Sequence, residues 1–180
     1  MRTLVLGGIR SGKSRWAEFA IAEEVGPQQP VRYLATGADA NADDAWAQRV
    51  AAHRQRRPAH WSTVETSAVA TKLRRDHSTP TLVDDLAGWL TAVLDRHKAW
   101  SGGNAASVAL DIEELFGAIN AFGPPLVVVS PEVGLSVVPA TVAGVRFADE
   151  LGGLNQRLAA LCDRVVLVVA GQPMMLKEFD

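Results

Sequence analysis

The sequence predicts an α/β fold in which helices flank a mostly parallel sheet. Short apolar runs bounded by glycine, proline or charged residues recur along the chain, which is typical of strands that are buried on both faces. Helical stretches separate these runs, so strands and helices alternate. The 180-residue chain contains no repeat, low-complexity tract or long linker, and we expect a single domain over residues 1–180.

The individual elements follow from local patterns of hydrophobicity and of turn residues. The predicted strands cover residues 3–6, 31–35, 81–85, 126–130 and 165–170, with a shorter candidate at 61–66. The predicted helices cover residues 14–25, 43–56, 67–76, 86–99, 107–121 and 140–162. In the last helix, the sequence LGGLNQ argues against continuity, because glycine has a low helix propensity.

The composition excludes several classes of protein. A formal net charge of -2 at pH 7 argues against a dedicated nucleic-acid-binding protein. No apolar run reaches the roughly 18 residues that are typical of a membrane-spanning helix. The single cysteine, Cys162, rules out an internal disulfide and is expected to pack in the core. We therefore expect a cytoplasmic protein.

The most informative motif is GGIRSGKS at residues 7–14, which matches the P-loop pattern G-x-x-x-x-G-K-[ST]. It follows an apolar strand and opens a helix, and this context makes the pattern specific. Backbone N–H groups of such a loop, together with the helix N-terminus, surround phosphate oxygens. Lys13 is expected to reach the β- and γ-phosphates of a nucleoside triphosphate, and Ser14 to bind Mg²⁺.

A P-loop protein needs a second acidic group for the metal at the end of a buried strand. The run TLVDD supplies Asp84 and Asp85 at such a position. Aspartate after a strand is also a frequent N-cap of the next helix. We expect Asp84 to bind the metal together with Ser14, and Asp85 to cap the helix.

A second candidate site is the basic stretch HRQRRPAHW at residues 53–61. Trp46, Val50 and His53 are spaced to share one face of the predicted helix, which favours a packed histidine. The arginines at the helix end would, by themselves, only complement the helix dipole. From the residues alone, the stretch is either a structural helix end or a second catalytic element beside the P-loop.

Six segments in this order resemble one protein family: LGGIRSGKSRWAE, YLATG, DDAWAQRVAAHRQRRPAHWSTVE, LVDDLAGWLT, SPEVGLSVVP and FADELGGLNQRLAALCDRVVLVVAG. The family is the bifunctional adenosylcobinamide kinase/adenosylcobinamide-phosphate guanylyltransferase of cobalamin synthesis. The resemblance covers nearly the whole chain, and its combined motifs are far more specific than a P-loop alone. It implies a RecA-like P-loop α/β fold and a homotrimer.

The resemblance implies two reactions. ATP or GTP phosphorylates the aminopropanol hydroxyl of adenosylcobinamide, and GMP then passes from GTP to that phosphate, giving adenosylcobinamide-GDP. The second reaction proceeds through a GMP-histidine, which by its position looks like His53, with His60 as the other candidate. An imidazole nitrogen can attack the α-phosphorus while neighbouring arginines stabilise the developing charge. His53 and Lys13 are thus the expected catalytic residues, and His60 a structural neighbour of Trp61.

The nucleotide site implied by the resemblance combines the P-loop with residues from other segments. It comprises Gly7, Gly8, Ile9, Arg10, Ser11, Gly12, Lys13, Ser14, Ala35, Thr36, Gly37, Arg54, Gln55, Arg56, Arg57, Glu65 and Asp84. Mg²⁺ is the expected cofactor, held by Ser14 and Asp84, and GTP and ATP are the expected substrates. Glu65 is expected to suit the N1–H and N2–H₂ edge of guanine or a ribose, and a surface acid is the lesser alternative.

The chain departs from the family pattern at several positions. Residues that differ from the usual motifs are Ala45, Asp85, Pro131, Ala140, Thr141 and Val145. None of them lies in the P-loop or at His53. We assign residues 131–145 to acceptor binding or to a subunit boundary.

Two other functions fit the P-loop alone. One is a nucleotide-binding regulatory or assembly protein that is switched by hydrolysis, and the other is a small-molecule kinase without guanylyl transfer. The basic stretch with His53 argues against both, because neither function requires it. Nucleic-acid binding is the weakest alternative. The expected partners are adenosylcobinamide and its phosphate.

Overall fold

A computed structural model describes residues 1–37, 57–135 and 137–179. The strands are β1 Arg2–Gly7, β2 Arg32–Ala35, β3 Ser62–Glu65, β4 Thr81–Asp84, β5 Leu126–Pro131, β6 Arg164–Val169 and β7 Gln172–Glu178. The helices are α1 Lys13–Val25, α2 Val69–Arg75, α3 Leu86–Arg96, α4 Ala105–Ala121 and α5 Val142–Leu161. The predicted helix at 43–56 lies outside the described residues.

The seven strands form one sheet in the order β3-β2-β4-β5-β1-β6-β7. All neighbouring pairs are parallel except β6 and β7, which are antiparallel. The prediction of a mostly parallel sheet is therefore confirmed. The sequence analysis missed β7, because its segment QPMMLKE has no β-branched residue and starts beside a proline.

The helix boundaries differ from the predicted ones where tertiary contacts or turns decide them. The glycine pair in LGGLNQ does not interrupt α5, because Leu151, Leu154 and Leu158 of the same helix are buried against the core. The helix begins after Thr141, whose side chain accepts a hydrogen bond from Gly144 N at 3.1 Å.

Within the described ranges, no helix is long and apolar enough to cross a membrane.

A hydrophobic core lies on each face of the sheet. Val5, Ile21 and Tyr33 belong to the core on the α1 side, whereas Leu4 and the buried faces of the other helices form the second core. The alternation of Leu4 and Val5 follows from the two-residue period of a strand. The sheet is thus buried on both faces, which explains the continuous apolar runs in the sequence.

Cys162 packs in the second core, as predicted, and is only 1% exposed. Burial raises the pKa of its thiol to about 12. A thiol that stays protonated is a poor nucleophile. The side chain therefore contributes packing and no evident chemistry.

Lys177 of β7 ties that strand to the end of α5. Its Nζ donates hydrogen bonds to the carbonyl oxygens of Ala159, Ala160 and Cys162, at 2.9, 3.1 and 2.7 Å. Carbonyls at a helix C-terminus lack partners within the helix, and a cation is favourable there. The lysine thus acts as a C-terminal cap supplied from another element.

Candidate nucleotide-binding site

Several of the predicted site residues lie at the carboxyl ends of the parallel strands. Ala35 of β2 pairs with Glu65 of β3 on one side and with Asp84 of β4 on the other. Gly7, the first residue of the glycine loop, ends β1 at the same edge. Parallel strands bring their carboxyl ends together, which is where ligands bind in α/β folds.

The glycine loop turns through conformations that favour glycine. Gly12 has φ of 94° and Arg10 has φ of 57°, both in the left-handed region. Ser11 N donates to Gly8 O at 3.2 Å, and Ser11 O accepts from Gly171 N at 2.7 Å. These bonds shape the turn and anchor it to the segment between β6 and β7.

Gly7 has no room for a side chain. A Cβ at this position would lie 2.7 Å from Val168 O and would also overlap the Ser11 hydroxyl. Its carbonyl accepts from Glu132 N at 3.1 Å, which links the loop to the segment after β5. Gly8, by contrast, has open space where a Cβ would lie.

Lys13 and Ser14 stand in the first turn of α1. Lys13 Nζ donates to Gly8 O at 3.3 Å, so the side chain folds back over the loop. Lys13 N lies 3.4 Å from the Ser11 hydroxyl, which accepts its hydrogen bond. Within the loop, Gly8, Ile9 and Arg10 are exposed. The lysine and the helix N-terminus therefore frame an open surface that suits an anion.

Asp84 is joined to Arg57 through Tyr33. The Tyr33 hydroxyl donates to Asp84 Oδ2 at 2.5 Å. The Arg57 guanidinium carbon lies 3.5 Å from the centroid of the Tyr33 ring, in a cation–π contact. Burial, followed by the negative charge of Asp84, raises the pKa of Tyr33 well above its usual range. The phenol therefore remains a hydrogen-bond donor.

Asp85 is the N-cap of α3, as predicted. Its Oδ1 accepts from Gly88 N at 3.0 Å. Burial, followed by the negative charge of Asp84, raises the pKa of Asp85, and the charge of Lys13 opposes this rise. The Thr36 hydroxyl donates to the Asp85 carbonyl oxygen, which connects the segment after β2 to the start of α3.

The segment after β2 packs closely on α3. A Cβ on Gly88 would lie 2.8 Å from Thr36 O and 2.9 Å from Gly37 N. Thr36 N donates to Asp84 O at 3.0 Å and continues the β2–β4 pairing by one residue. Ala35, Thr36 and Gly37 are therefore fixed beside Asp84.

The basic stretch is described only in part. His53, Arg54, Gln55 and Arg56 lie outside the described residues, so their assignment to the site stays a prediction. Arg57 Nη1 donates to Thr63 Oγ1 at 2.7 Å. His60 is exposed in the turn before β3, and Trp61 is buried in the core on the α1 side. Glu65 is exposed at the end of β3.

A cleft of about 520 Å³ lies between α5, β7 and the segment after β5. Val145, one of the departures from the family pattern, lines it together with Glu132, Pro139 and Asn155. Asn155 Nδ2 donates to Pro131 O at 2.9 Å, which holds the end of β5 against α5. One departure, Val145, thus lies at a cleft that Leu6 of β1, the strand before the P-loop, also lines.

Sequence reasoning missed two contributors to the site. Tyr33 looks like one more apolar residue of a buried strand, and only the register of β2 and β4 brings its hydroxyl to Asp84. Gly171 has φ of 79° and supports the loop through its N–H. The dipeptide AG after an apolar run is a turn signal, but it does not indicate what the turn contacts.

A glycine loop between a parallel strand and a helix, with a lysine at its end and an aspartate on a neighbouring strand, defines a P-loop nucleotide-binding protein. Residues 3–176 match the family of cobinamide kinase / cobinamide phosphate guanyltransferase. The chain belongs to that family.

Curated relatives match the chain over almost its full length. It is 42% identical over 182 residues to the bifunctional adenosylcobalamin biosynthesis protein CobP of Pseudomonas aeruginosa, covering 98% of each chain. It is 35% identical to the CobU protein of Salmonella typhimurium and 34% identical to that of Escherichia coli, both named bifunctional adenosylcobalamin biosynthesis proteins. Each of these two alignments covers 98% of this chain and 100% of the relative.

A solved structure supports the fold independently of close sequence similarity. An ATPase from the type III secretion system of pathogenic bacteria superimposes with a TM-score of 0.56 at 14% identity. The match covers 92% of this chain but only 50% of the ATPase. The α/β fold with a mostly parallel sheet flanked by helices, which the sequence predicts, is therefore confirmed.

Proposed function

We propose that this chain phosphorylates adenosylcobinamide with ATP or GTP and then transfers GMP from GTP to adenosylcobinamide phosphate. The products of the transfer are adenosylcobinamide-GDP and pyrophosphate, and one domain carries out both steps. One observation carries the proposal: a P-loop and an aspartate share an edge of the sheet, in a chain that matches the cobinamide kinase / cobinamide phosphate guanyltransferase family.

In the kinase reaction, the acceptor hydroxyl attacks the γ-phosphorus and the nucleoside diphosphate leaves. The backbone N–H groups of the glycine loop and of the first turn of α1 bind the phosphate oxygens. Lys13 stabilises the negative charge on the phosphoryl group while this group is transferred. Support for this role is its side chain, which already lies over the loop with Nζ 3.3 Å from Gly8 O.

The donor groups at the site fit Mg²⁺. This ion takes oxygen ligands and usually binds through one or two protein groups, several waters and the substrate phosphates. The Ser14 hydroxyl and the Asp84 carboxylate are such groups. The part of the chain that the structure describes contains no cluster of three or more His, Cys, Asp or Glu side chains that could hold a metal. A phosphate-bound ion needs no such cage, and it would neutralise charge on the β- and γ-phosphates.

In the guanylyl transfer, an imidazole nitrogen of His53 attacks the α-phosphorus of GTP and pyrophosphate leaves. A phosphate oxygen of adenosylcobinamide phosphate then attacks the same phosphorus and releases the histidine. Arg54, Arg56 and Arg57 bind the α-phosphate during both displacements. Support comes from Arg57, because this residue lies against Tyr33 beside Asp84 and follows His53 by only four positions.

The decisive experiment detects the covalent intermediate. The protein is incubated with Mg²⁺ and GTP labelled at the α-phosphate, then denatured and separated on a gel. We expect a labelled band that is acid-labile and alkali-stable, as a phosphoramidate is, and that is absent in His53→Ala. His60→Ala is the matched control and should keep the label.

The outcomes separate the candidate functions. No label under conditions in which GTP binds would leave a small-molecule kinase or a hydrolysis-driven switch. Label that persists in His53→Ala but disappears in His60→Ala would move the nucleophile to His60. Phosphorylation of added adenosylcobinamide, followed by mass spectrometry, tests the kinase half separately.

We further propose that the protein is a cytoplasmic homotrimer. Exposed apolar side chains on β7 and on the segment after β5 support self-association, since Val137 is 93% exposed and Met174 54%. Multi-angle light scattering tests the subunit number, and a monomer at micromolar concentration would contradict the trimer.

A further inference from the structure

We infer that Tyr33 is a positioning residue that holds the Asp84 carboxylate and the Arg57 guanidinium in a fixed relation to each other. The inference rests on the proposed function, in which Asp84 binds the metal and Arg57 binds the α-phosphate. In addition, the single buried side chain of Tyr33 would connect the metal-binding carboxylate of Asp84 with the phosphate-binding guanidinium of Arg57.

The geometry of Tyr33 supports this role. The side chain is 2% exposed and belongs to the same core as Val5 and Ile21. Its hydroxyl lies 2.5 Å from Asp84 Oδ2, and its ring faces the Arg57 guanidinium carbon at 3.5 Å from the centroid. A packed aromatic ring has little freedom to move, so both contacts are made from a rigid support.

The hydrogen bond selects one orientation of the Asp84 carboxylate. The terminal torsion of an aspartate is broad, so a carboxylate without a donor can rotate. Tyr33 engages Oδ2, so Oδ1 would be the carboxylate oxygen that faces a bound metal ion. A hydrogen bond to an ionised acceptor is roughly twice as strong as a neutral one, which makes the phenol an effective restraint.

Arg57 is fixed on its other side by β3. Its Nη1 donates to Thr63 Oγ1, so the guanidinium is held between that hydroxyl and the Tyr33 ring. Its Nε is buried and makes no hydrogen bond within the described residues. A planar guanidinium that is held in this way keeps its fork geometry for an anionic group.

The first test uses Tyr33→Phe, which keeps the ring and removes only the hydroxyl. Binding of the non-hydrolysable analogue GMP-PNP is measured by calorimetry over a series of MgCl₂ concentrations. We expect the half-saturating Mg²⁺ concentration to rise about tenfold, because a hydrogen bond to a charged group is lost. Affinity for GMP-PNP without Mg²⁺ should change much less, because the ring that contacts Arg57 is kept.

Thr81→Val is the matched control. Thr81 is buried on the same strand as Asp84 but at the opposite end, where its hydroxyl accepts from Arg32 Nη2 at 2.9 Å. The hydroxyl also donates to Thr79 O at 2.9 Å, so the variant loses two hydrogen bonds. We expect it to leave the Mg²⁺ requirement unchanged. Equal Mg²⁺ requirements in Tyr33→Phe and Thr81→Val would overturn the inference, because a general loss of stability would then explain both.

The second test is spectroscopic and does not depend on activity. Tyr33 is the only tyrosine of the chain, so ¹³Cζ-tyrosine labelling gives a single NMR signal. We expect this signal to shift in Asp84→Asn and on addition of Mg²⁺ to the GMP-PNP complex. A signal that is insensitive to both changes would overturn the inference.

Asp84→Asn distinguishes a failure of the inference from a failure of the proposed function. If Asp84→Asn raises the Mg²⁺ requirement but Tyr33→Phe does not, Asp84 binds the metal without help from Tyr33 and only the inference fails. If Asp84→Asn leaves the Mg²⁺ requirement unchanged, the metal role of Asp84 fails and the inference fails with it.

Discussion

The two halves of the nucleotide site hold their functional groups in different ways. In the glycine loop, backbone conformation and close packing decide the geometry, as at Gly7 and Gly12. At the ends of β2 and β4, contacts between side chains determine the geometry, with the buried Tyr33 linking Asp84 to Arg57. The first half is a contiguous motif, whereas the second is assembled from separate segments. The difference indicates that the glycine loop is fixed mainly through its backbone, whereas the placement of Asp84 and Arg57 depends on side chains from separate segments.

The largest effect is expected for Lys13→Ala, which removes the main charged side chain of the glycine-loop half of the site. We expect the rate of both reactions to fall by about 100- to 1,000-fold, because one preorganised charge is lost from the transition state. Steady-state assays with adenosylcobinamide and GTP measure the loss. Lys72→Ala on α2, which packs against α4, should retain activity. A loss below tenfold in Lys13→Ala would mean that the backbone alone sustains catalysis.

A pair of glycine variants tests whether close packing of the backbone determines the conformation of the loop. Gly7→Ala should lower the free energy of unfolding by about 1–3 kcal/mol, because a Cβ there meets Val168 O at 2.7 Å. Gly8→Ala should change it by less than about 0.5 kcal/mol, since the site of its Cβ is open. Urea denaturation measures both values. Similar values for the two variants would show that the loop adapts more freely than the packing indicates.

Asp85 tests the half of the site that is built from side chains. Asp85→Ala should cost about 1 kcal/mol, because the N-cap of α3 is lost. Asp85→Asn retains a capping oxygen and removes a half-buried charge, so it should be at least as stable as the wild type at pH 7. Unfolding in urea at several pH values gives the comparison.

The pH dependence of this effect has a definite sign. Burial and the negative charge of Asp84 raise the pKa of Asp85 in the folded state. The folded protein therefore binds a proton at Asp85 at a higher pH than the unfolded protein does. Ionisation of Asp85 therefore lowers stability as the pH rises through the interval between the two pKa values, and acidification restores it. The advantage of Asp85→Asn should shrink as the pH is lowered toward about 4, the ordinary aspartate pKa. An advantage that grows on acidification would contradict this sign.

Much of the fold was predictable because its signals are local. The buried strands are continuous apolar runs, and the P-loop is a contiguous motif between one of them and α1. The capping role of Asp85 also follows from its place between a strand and a helix. These features depend on a few neighbouring residues, which a single sequence displays directly.

The remainder depends on contacts between distant segments. The hydroxyl of Tyr33 has a role only because β2 pairs with β4, 51 positions apart at this hydrogen bond. The strand β7 has mostly exposed residues and forms through its pairing with β6 rather than through its own propensity. Likewise, α5 continues through two glycines because its leucines are buried. No local pattern contains this information.

The attachment of Lys177 to α5 affects the order in which the chain can complete its structure during synthesis. The carbonyls of Ala159, Ala160 and Cys162 leave the ribosome 15 to 18 residues before the lysine that binds them. Domains generally fold from the N-terminus as they emerge, but the last turn of α5 acquires its cap only after residue 177 has been added. A released chain that is truncated before this residue should therefore be cleaved by proteases near residues 159–162 more readily than the chain that contains Lys177.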